Sequence, residues 1–277
     1  MKSLFSTISF IMILCSLSAQ DYTFWADAMV NSDKPEHRVE ASQHFSTALE
    51  AELKRDQSFE KEFTELEWIS IQYPDDRSFR VISWQVDQGD GDYKYYGYYQ
   101  DMARLIPFDT QSGEEGLDED TDLSISDWSG ALVYRILQVD ENYMLWTFRF
   151  TDTYTKIKTC EPLVISTEDV TIGQKIFQEE EGSPNYKHRH VLLYSADTNA
   201  TLDFYDDSKR ILFDNLIVMQ GRMVGQGMTF VADGSYRGYD YNNGKWIAKD
   251  KLFDEVLERA PRANLQSGGK DLFGRKG

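Results

Sequence analysis

A mainly β chain is predicted: a large antiparallel meander closed as a sandwich, a barrel or a propeller-like sheet, with a small N-terminal helical module and a short C-terminal helix, α+β overall. Three observations predict it. Short apolar–polar alternations follow one another at a spacing of about ten residues after Trp68. Asp90-Gly91, Asp233-Gly234 and Asn243-Gly244 punctuate them, and such pairs favour tight hairpin turns because both central residues of a type I′ turn take positive φ. A 3.6-residue apolar period is confined mainly to the region before Trp68.

The chain divides at 1-19, 20-67, 68-248, 249-260 and 261-277. Residues 1-19 read as a secretory signal peptide: Lys2 supplies the positive end, Ile8–Leu17 is apolar but for Ser9 and Ser16, and Ser16, Ser18 and Ala19 are small residues suited to cleavage. That run is too short to span a bilayer, so an exported protein is expected, periplasmic or extracellular, with no transmembrane segment in the mature chain. Cys15 follows bulky Met12, Ile13 and Leu14, which argues against a lipid anchor. Cleavage leaves Cys160 alone, so stability has to come from packing and not from an internal disulfide.

Pro35 suits a helix start, and Ala41, Phe45, Ala48, Leu49 and Leu53 continue a helical stripe that Phe59, Phe63 and Leu66 repeat behind Asp56. Ile69 and Ile71 then begin the period of two. Phe79–Gln100 reads as a hairpin around Asp90-Gly91, its second arm saturated with tyrosine. Further strands are predicted at Ala131–Val139, Tyr143–Phe150, Lys156–Cys160, Leu163–Ser166, Gln174–Phe177, His190–Ser195, Thr201–Tyr205 and Ile211–Val218, and a last hairpin stretch at Met228–Ile247 with tight turns at Asp233-Gly234 and Asn243-Gly244. Leu252, Phe253, Val256 and Leu257 form one face of the closing helix, stopped by Pro261. The tail from Pro261 to Gly277 is poor in apolar residues and predicted to be disordered.

Charge sets limits on partners. The formal charge is −18, which makes nucleic acid an unsuitable partner because phosphate binding draws on basic patches. Eight of the acidic residues lie between Asp109 and Asp127, without a Lys or Arg among them. A solvated, mobile loop that can be removed without loss of the fold is expected there.

The phrases SFRVISWQ, DYKYYGYYQ, KIKTCEPLVI, RHVLLYSADTNATLDFYDDSKRILFDNLIV and VADGSYRGYDYNNGKW resemble an uncharacterised family of secreted proteins of Bacteroidota bacteria. The resemblance spans roughly Ser78 to Trp246, lies in strand and turn phrases, and implies a β-rich exported or envelope protein. It brings no catalytic residues with it.

Candidate sites are sparse. Asp87, Asp90 and Asp92 place carboxylates around a tight turn, as a calcium site requires, but miss the EF-hand spacing and are also plain turn chemistry. His188 and His190 point to one side of a strand and make half a zinc site, while Arg189 between them would repel a cation if it folded inward. The simpler reading is a histidine pair on a polar strand edge. Cys160 reads as a core thiol. No nucleophile elbow or metal box occurs, and Gly221, Gly225 and Gly227 stand between strands where a phosphate loop needs a helix, so no cofactor is expected. The feature to pursue is tyrosine: Tyr93, Tyr95 and Tyr99 share one face of the hairpin arm and Tyr96 and Tyr98 the other. Unless both faces are buried, one set is free to stack on sugar rings or anchor a protein. The leading expectation is a non-enzymatic envelope protein binding a glycan or a protein partner. The rival is a glycan-active hydrolase whose paired carboxylates come from separate strands.

Overall fold

The computed structural model describes residues 22–108, 118–128 and 130–252. The predicted signal peptide, the first half of the acidic loop, and nearly all of the C-terminal helix and tail lie outside these residues. Helix α1 (residues 22–31) is followed by α2 (Pro35–Leu53), which begins where the sequence places it. Pro35 fixes φ in the first turn after an extended Lys34, and α2 buries Ala41, Phe45, Leu49 and Leu53 along one stripe. The second expected stripe is not a helix. Ser58–Glu60 is a single 3₁₀ turn, and Gln57 and Phe63 take positive φ, 62° and 52°, which no α-helix accommodates. Phe63 and Leu66 are nevertheless buried, on the helices' side of the first sheet.

That sheet has the order β1 (Ser70–Gln72), β2 (Phe79–Gly89), β3 (Asp92–Asp101), β4 (Leu105–Pro107). Asp90 (φ 53°) and Gly91 (φ 81°) join β2 to β3 in the expected hairpin. A second sheet is built from β5 (Leu123–Ser124), β6 (Leu132–Val139), β7 (Asn142–Asp152), β8 (Thr155–Ile165) and β9 (Val170–Ile172), in the order β5-β9-β8-β7-β6. The chain then crosses to β10 (Phe177–Gln178) and β11 (Tyr186–Lys187) of a third sheet. It returns as β12 (His190–Ser195) to pair antiparallel with the first half of β8. Finally β13 (Leu202–Tyr205), β14 (Arg210–Gln220), β15 (Met228–Asn242) and β16 (Lys245–Lys249) complete the third sheet, ordered β11-β10-β16-β15-β14-β13. The fold is thus three antiparallel-rich sheets and not a closed barrel.

Three apolar layers hold these elements together. Helices pack on the first sheet around Phe45, Leu49, Ile82 and Trp84, with the Phe45 and Trp84 rings edge-on at 5.0 Å. The first sheet packs on the second around Phe79, Val81, Tyr99, Trp128 and Leu145. The second packs on the third around Trp146, Cys160, Phe177, Tyr194 and Trp246. Burying a single large apolar side chain contributes roughly 1.5–3 kcal/mol, so the aromatic-rich interfaces dominate stability.

Three further expectations change. Lys156–Cys160 and Leu163–Ser166 are one strand, β8, running through Pro162; the Pro162 carbonyl accepts the Gly173 N–H, so the missing donor leaves an acceptor in use. Asp233-Gly234 is a bulge within β15 and not a turn: Asp214 pairs with Tyr236 and Leu216 with Ala232, so two steps on β14 face four on β15. Lys249 is in a strand, not a helix.

The acidic stretch is described from Asp118 onward. Ile125 and Trp128 are fully buried, and the Glu119 carbonyl accepts the His188 N–H at 2.6 Å. Against the expectation of a loop mobile throughout, Ile125 near its end and Trp128 just after it anchor its described half in the core.

Candidate functional site

The tyrosine row is not a free platform. The first sheet is covered on both faces, so Tyr95, Tyr98 and Tyr99 are buried and Tyr93 and Tyr96 half-buried. Tyr96 stacks on Trp84 at 5.7 Å on the helices' side. On the other, Tyr93 stacks on Phe150 at 4.7 Å, and the Phe150 N–H donates to the Tyr95 hydroxyl at 2.7 Å. Burial pushes up the ionisation of all five phenols.

Asp87, Asp90 and Asp92 serve the turn. Asp87 accepts the Gly89 N–H at 2.8 Å and pairs with Arg38, the Asp90 carbonyl accepts from Thr153, and Asp92 accepts from Gln88. No cluster of three or more metal-ligating side chains occurs among the described residues. Cys160 is buried, and burial raises its thiol well above the usual range.

His188 and His190 part company. His188 faces the acidic stretch, with Nε2 3.9 Å from Asp122. His190 is only 7% exposed, so it is a core residue and not a surface one. Its ring lies 4.1 Å from that of Phe213, and its Nδ1 is 3.2 Å from the Tyr239 hydroxyl; Nε2 has no hydrogen-bond partner among the described residues. Desolvation, with Lys187 and Arg237 adding to it, pulls the His190 pKa down to about 3. The ring is therefore neutral near pH 7 and serves as an aromatic, hydrogen-bonding wall instead of a proton carrier.

His190 is one wall of a cavity of about 320 Å³ between β12 and the β14–β15 pair. Val191 and Leu193 stand on one side, Phe213, Leu216 and Phe230 on the other, and Tyr239 and Gly238 at one end. Its rim charges are mostly paired: Glu119 takes Lys187 at 2.7 Å and the Val191 N–H at 3.3 Å, Arg237 takes Asp250 at 2.6 Å, and Lys249 takes Glu181 at 3.1 Å. Asp214 is buried beneath, accepting the Thr201 N–H at 2.5 Å, and desolvation raises its pKa. This volume suits one or two side chains of a bound segment, at the small end of ligand pockets.

The cavity opens onto an unusual ribbon. Beyond the bulge, Leu216–Gln220 of β14 pairs with Met228–Ala232 of β15 and with no other strand among the described residues. Val218 opposes Phe230, and both are exposed. Val224 at the tip is 98% exposed, Met228 65% and Val218 55%. Across residues 215–232 the single charged residue is Arg222, apart from which the segment is polar-neutral or apolar.

The tip is held in place. Gln226 donates from Nε2 to the Tyr154 carbonyl (3.2 Å) and the Ser195 hydroxyl (2.8 Å), and the Tyr154 hydroxyl donates to the Val224 carbonyl (3.0 Å). The ribbon is thus fixed at both ends of β12, through His190–Tyr239 at one and Ser195–Gln226 at the other. Thirteen steps of chain along β15 and its turn, against five along β12, separate those anchors; at about 3.3 Å per step the longer path has to bow away, which leaves the cavity beneath it.

The free edge of β12 faces the same space. Val191 N–H turns to Glu119, away from β8, so by the alternation of a strand the N–H and C=O of Leu193 turn that way too. Sequence reasoning missed this site. Its one legible signal was the near absence of charge over residues 215–232 in a chain that is 27% charged. No family model, no curated protein and no solved structure matches the chain.

Proposed function

We propose that this is an exported, non-enzymatic binding protein that captures an extended apolar segment of a protein partner in the cleft between β12 and the β14–β15 ribbon. The observation that carries this reading is the pinned ribbon, which exposes Val218, Val224, Met228 and Phe230 and whose Phe230, opposite Val218, also lines the cavity. An apolar surface of this kind costs solubility unless it meets a partner. The fixed tip means that little ordering entropy opposes binding. Strand addition along Leu193 would supply main-chain hydrogen bonds, and the cavity would take an apolar side chain. The charge of −18 favours a segment with basic residues beside its apolar ones. Export rests on the signal-like residues 1-19.

Selection from a phage-displayed peptide library tests the reading. The protein is expected to enrich apolar peptides with Lys or Arg flanks, and Val218→Asp with Phe230→Asp to weaken them about tenfold or more. Enrichment of nothing above background, or equal binding by the double variant, would refute it.

A further inference from the structure

The path of the chain after β16 points to an occupant for this cleft that belongs to the protein itself. β16 runs antiparallel along β15, with Lys249 opposite Gly238, and Leu252 then donates its N–H to the Tyr236 carbonyl at 3.2 Å. The next positions back along β15, from Ser235 to Met228, have no strand partner on that side among the described residues. Leu252, the last described residue, thus stands beside the unpaired edge of the ribbon.

Gly238 makes room for Leu252. A Cβ there would lie 2.2 Å from the Ile211 carbonyl oxygen and 2.6 Å from Leu252 Cδ1, so only glycine fits between β14 and Leu252 at this position, which itself lines the cavity. The chain runs on through residues 253–277, which begin with Phe253, Val256 and Leu257. From Arg259 onward they carry Arg259, Arg262, Lys270, Arg275 and Lys276 against Asp271 alone. Phe253, Val256 and Leu257 match the apolar ribbon, with Asp254, Glu255 and Glu258 between and after them, and the basic residues that follow suit a protein of net charge −18.

Resting on the reading of the cleft as a peptide-binding site, we infer that residues 253–277 of the same chain bind back on the β15 edge and the cavity, and compete there with the partner. Being tethered at Leu252, the segment acts at a high effective concentration, so a partner has to displace it. The protein would thus be self-restrained until a tighter-binding segment arrives.

Hydrogen exchange on the full chain tests this, beside a full-length variant carrying Phe253→Asp, Val256→Asp and Leu257→Asp. The amides of residues 228–232 and Leu193 are expected to exchange about tenfold or more faster in the variant, and to regain protection on adding a synthetic peptide of residues 253–277. Equal exchange in the two proteins would overturn the inference. So would protection that grows with protein concentration, since the segment would then come from a second copy. Library-selected peptides, titrated into both proteins, separate this inference from the reading beneath it. Equal affinity for the two with unchanged exchange removes self-restraint and leaves peptide capture standing. Faster exchange in the variant with no peptide bound by either removes peptide capture as the function of the cleft.

Discussion

His190 should make the protein lose stability on mild acidification. Its ring is buried against Phe213 and Tyr239, with Lys187 and Arg237 as nearby cations and Glu119 and Asp214 as the carboxylates that share the cavity. Unfolding returns its pKa from about 3 to the ordinary 6.5. The folded value is the depressed one, so the neutral ring's contribution is complete above about pH 6.5 and is lost as pH falls towards 3. Between about pH 7 and about pH 5 the unfolded chain takes up nearly one more proton than the folded one, which costs about 2 kcal/mol. Asp101, Glu65 and Asp233, whose pKa values are lowered, lose stability at lower pH; Asp214, whose pKa is raised, acts with the opposite sign above its unfolded value, and being common to wild type and variant it cancels in their difference. Urea denaturation at the two pH values, on the wild type and His190→Gln, isolates the effect. The variant should lose about 2 kcal/mol less than the wild type over that interval. If the variant does not fold, the NMR titration of the wild-type ring answers the same question, since it should stay neutral down to about pH 4. Equal losses in both proteins, or a ring that titrates near its ordinary value, would refute the reasoning.

Gly91→Ala should cost about 1–3 kcal/mol in chemical denaturation, because the residue sits at φ +81° and its Cβ would lie 2.0 Å from Thr153 Oγ1 and 2.8 Å from Thr153 Cα. Gly244→Ala, at φ +79° but with nothing within 4 Å, should cost only about 1 kcal/mol, so equal losses would count against the steric argument. Arg189→Met leaves the Glu161 carboxylate buried without its cation and should cost about 3–5 kcal/mol. Adding Glu161→Leu should recover much of that loss, and simple additivity of the two would show that the pair is not coupled. Deleting Ser112 to Asp122, neutral on the sequence reading, removes Glu119 and the Asp118 carbonyl that Arg189 donates to, and should cost about 3 kcal/mol; an unchanged urea midpoint would restore the idea of a dispensable loop.

The parts legible in the sequence are those in which neighbouring residues carry the whole signal. Asp90-Gly91 announces its hairpin because two consecutive residues must take positive φ. Pro35 marks the start of α2, and the alternation from His190 to Ser195 marks β12 with its observed bounds. The second helical stripe misled because spacing alone cannot show that Gln57 and Phe63 turn left-handed. The tyrosine row misled for another reason: the alternation correctly divides the five rings between two faces, but whether a face is wet depends on what lies across it. Helices cover one face and β7 the other, and neither covering is written in the hairpin.

The cavity is harder still to foresee, because it depends on one residue changing the meaning of its neighbour. Arg189 is fully buried, donating to Glu161 at 3.0 Å, to the Ile172 carbonyl at 3.2 Å and to the Asp118 carbonyl. These bonds draw β8, the end of β9 and the acidic stretch to one side of the chain. Because successive residues of an extended chain face opposite ways, Arg189 turned inward leaves His190 directed to the other side, against Tyr239 and Phe213 of the third sheet. Read locally, the motif His188-Arg189-His190 suggests paired metal ligands with a cation between them. In the fold the cation is what fixes the start of β12, and the second histidine becomes the point at which β15 is fastened to it. The ribbon leaves from that point and is caught again by Gln226 at Ser195, so the buried guanidinium sets the geometry of the cleft without touching anything that would enter it.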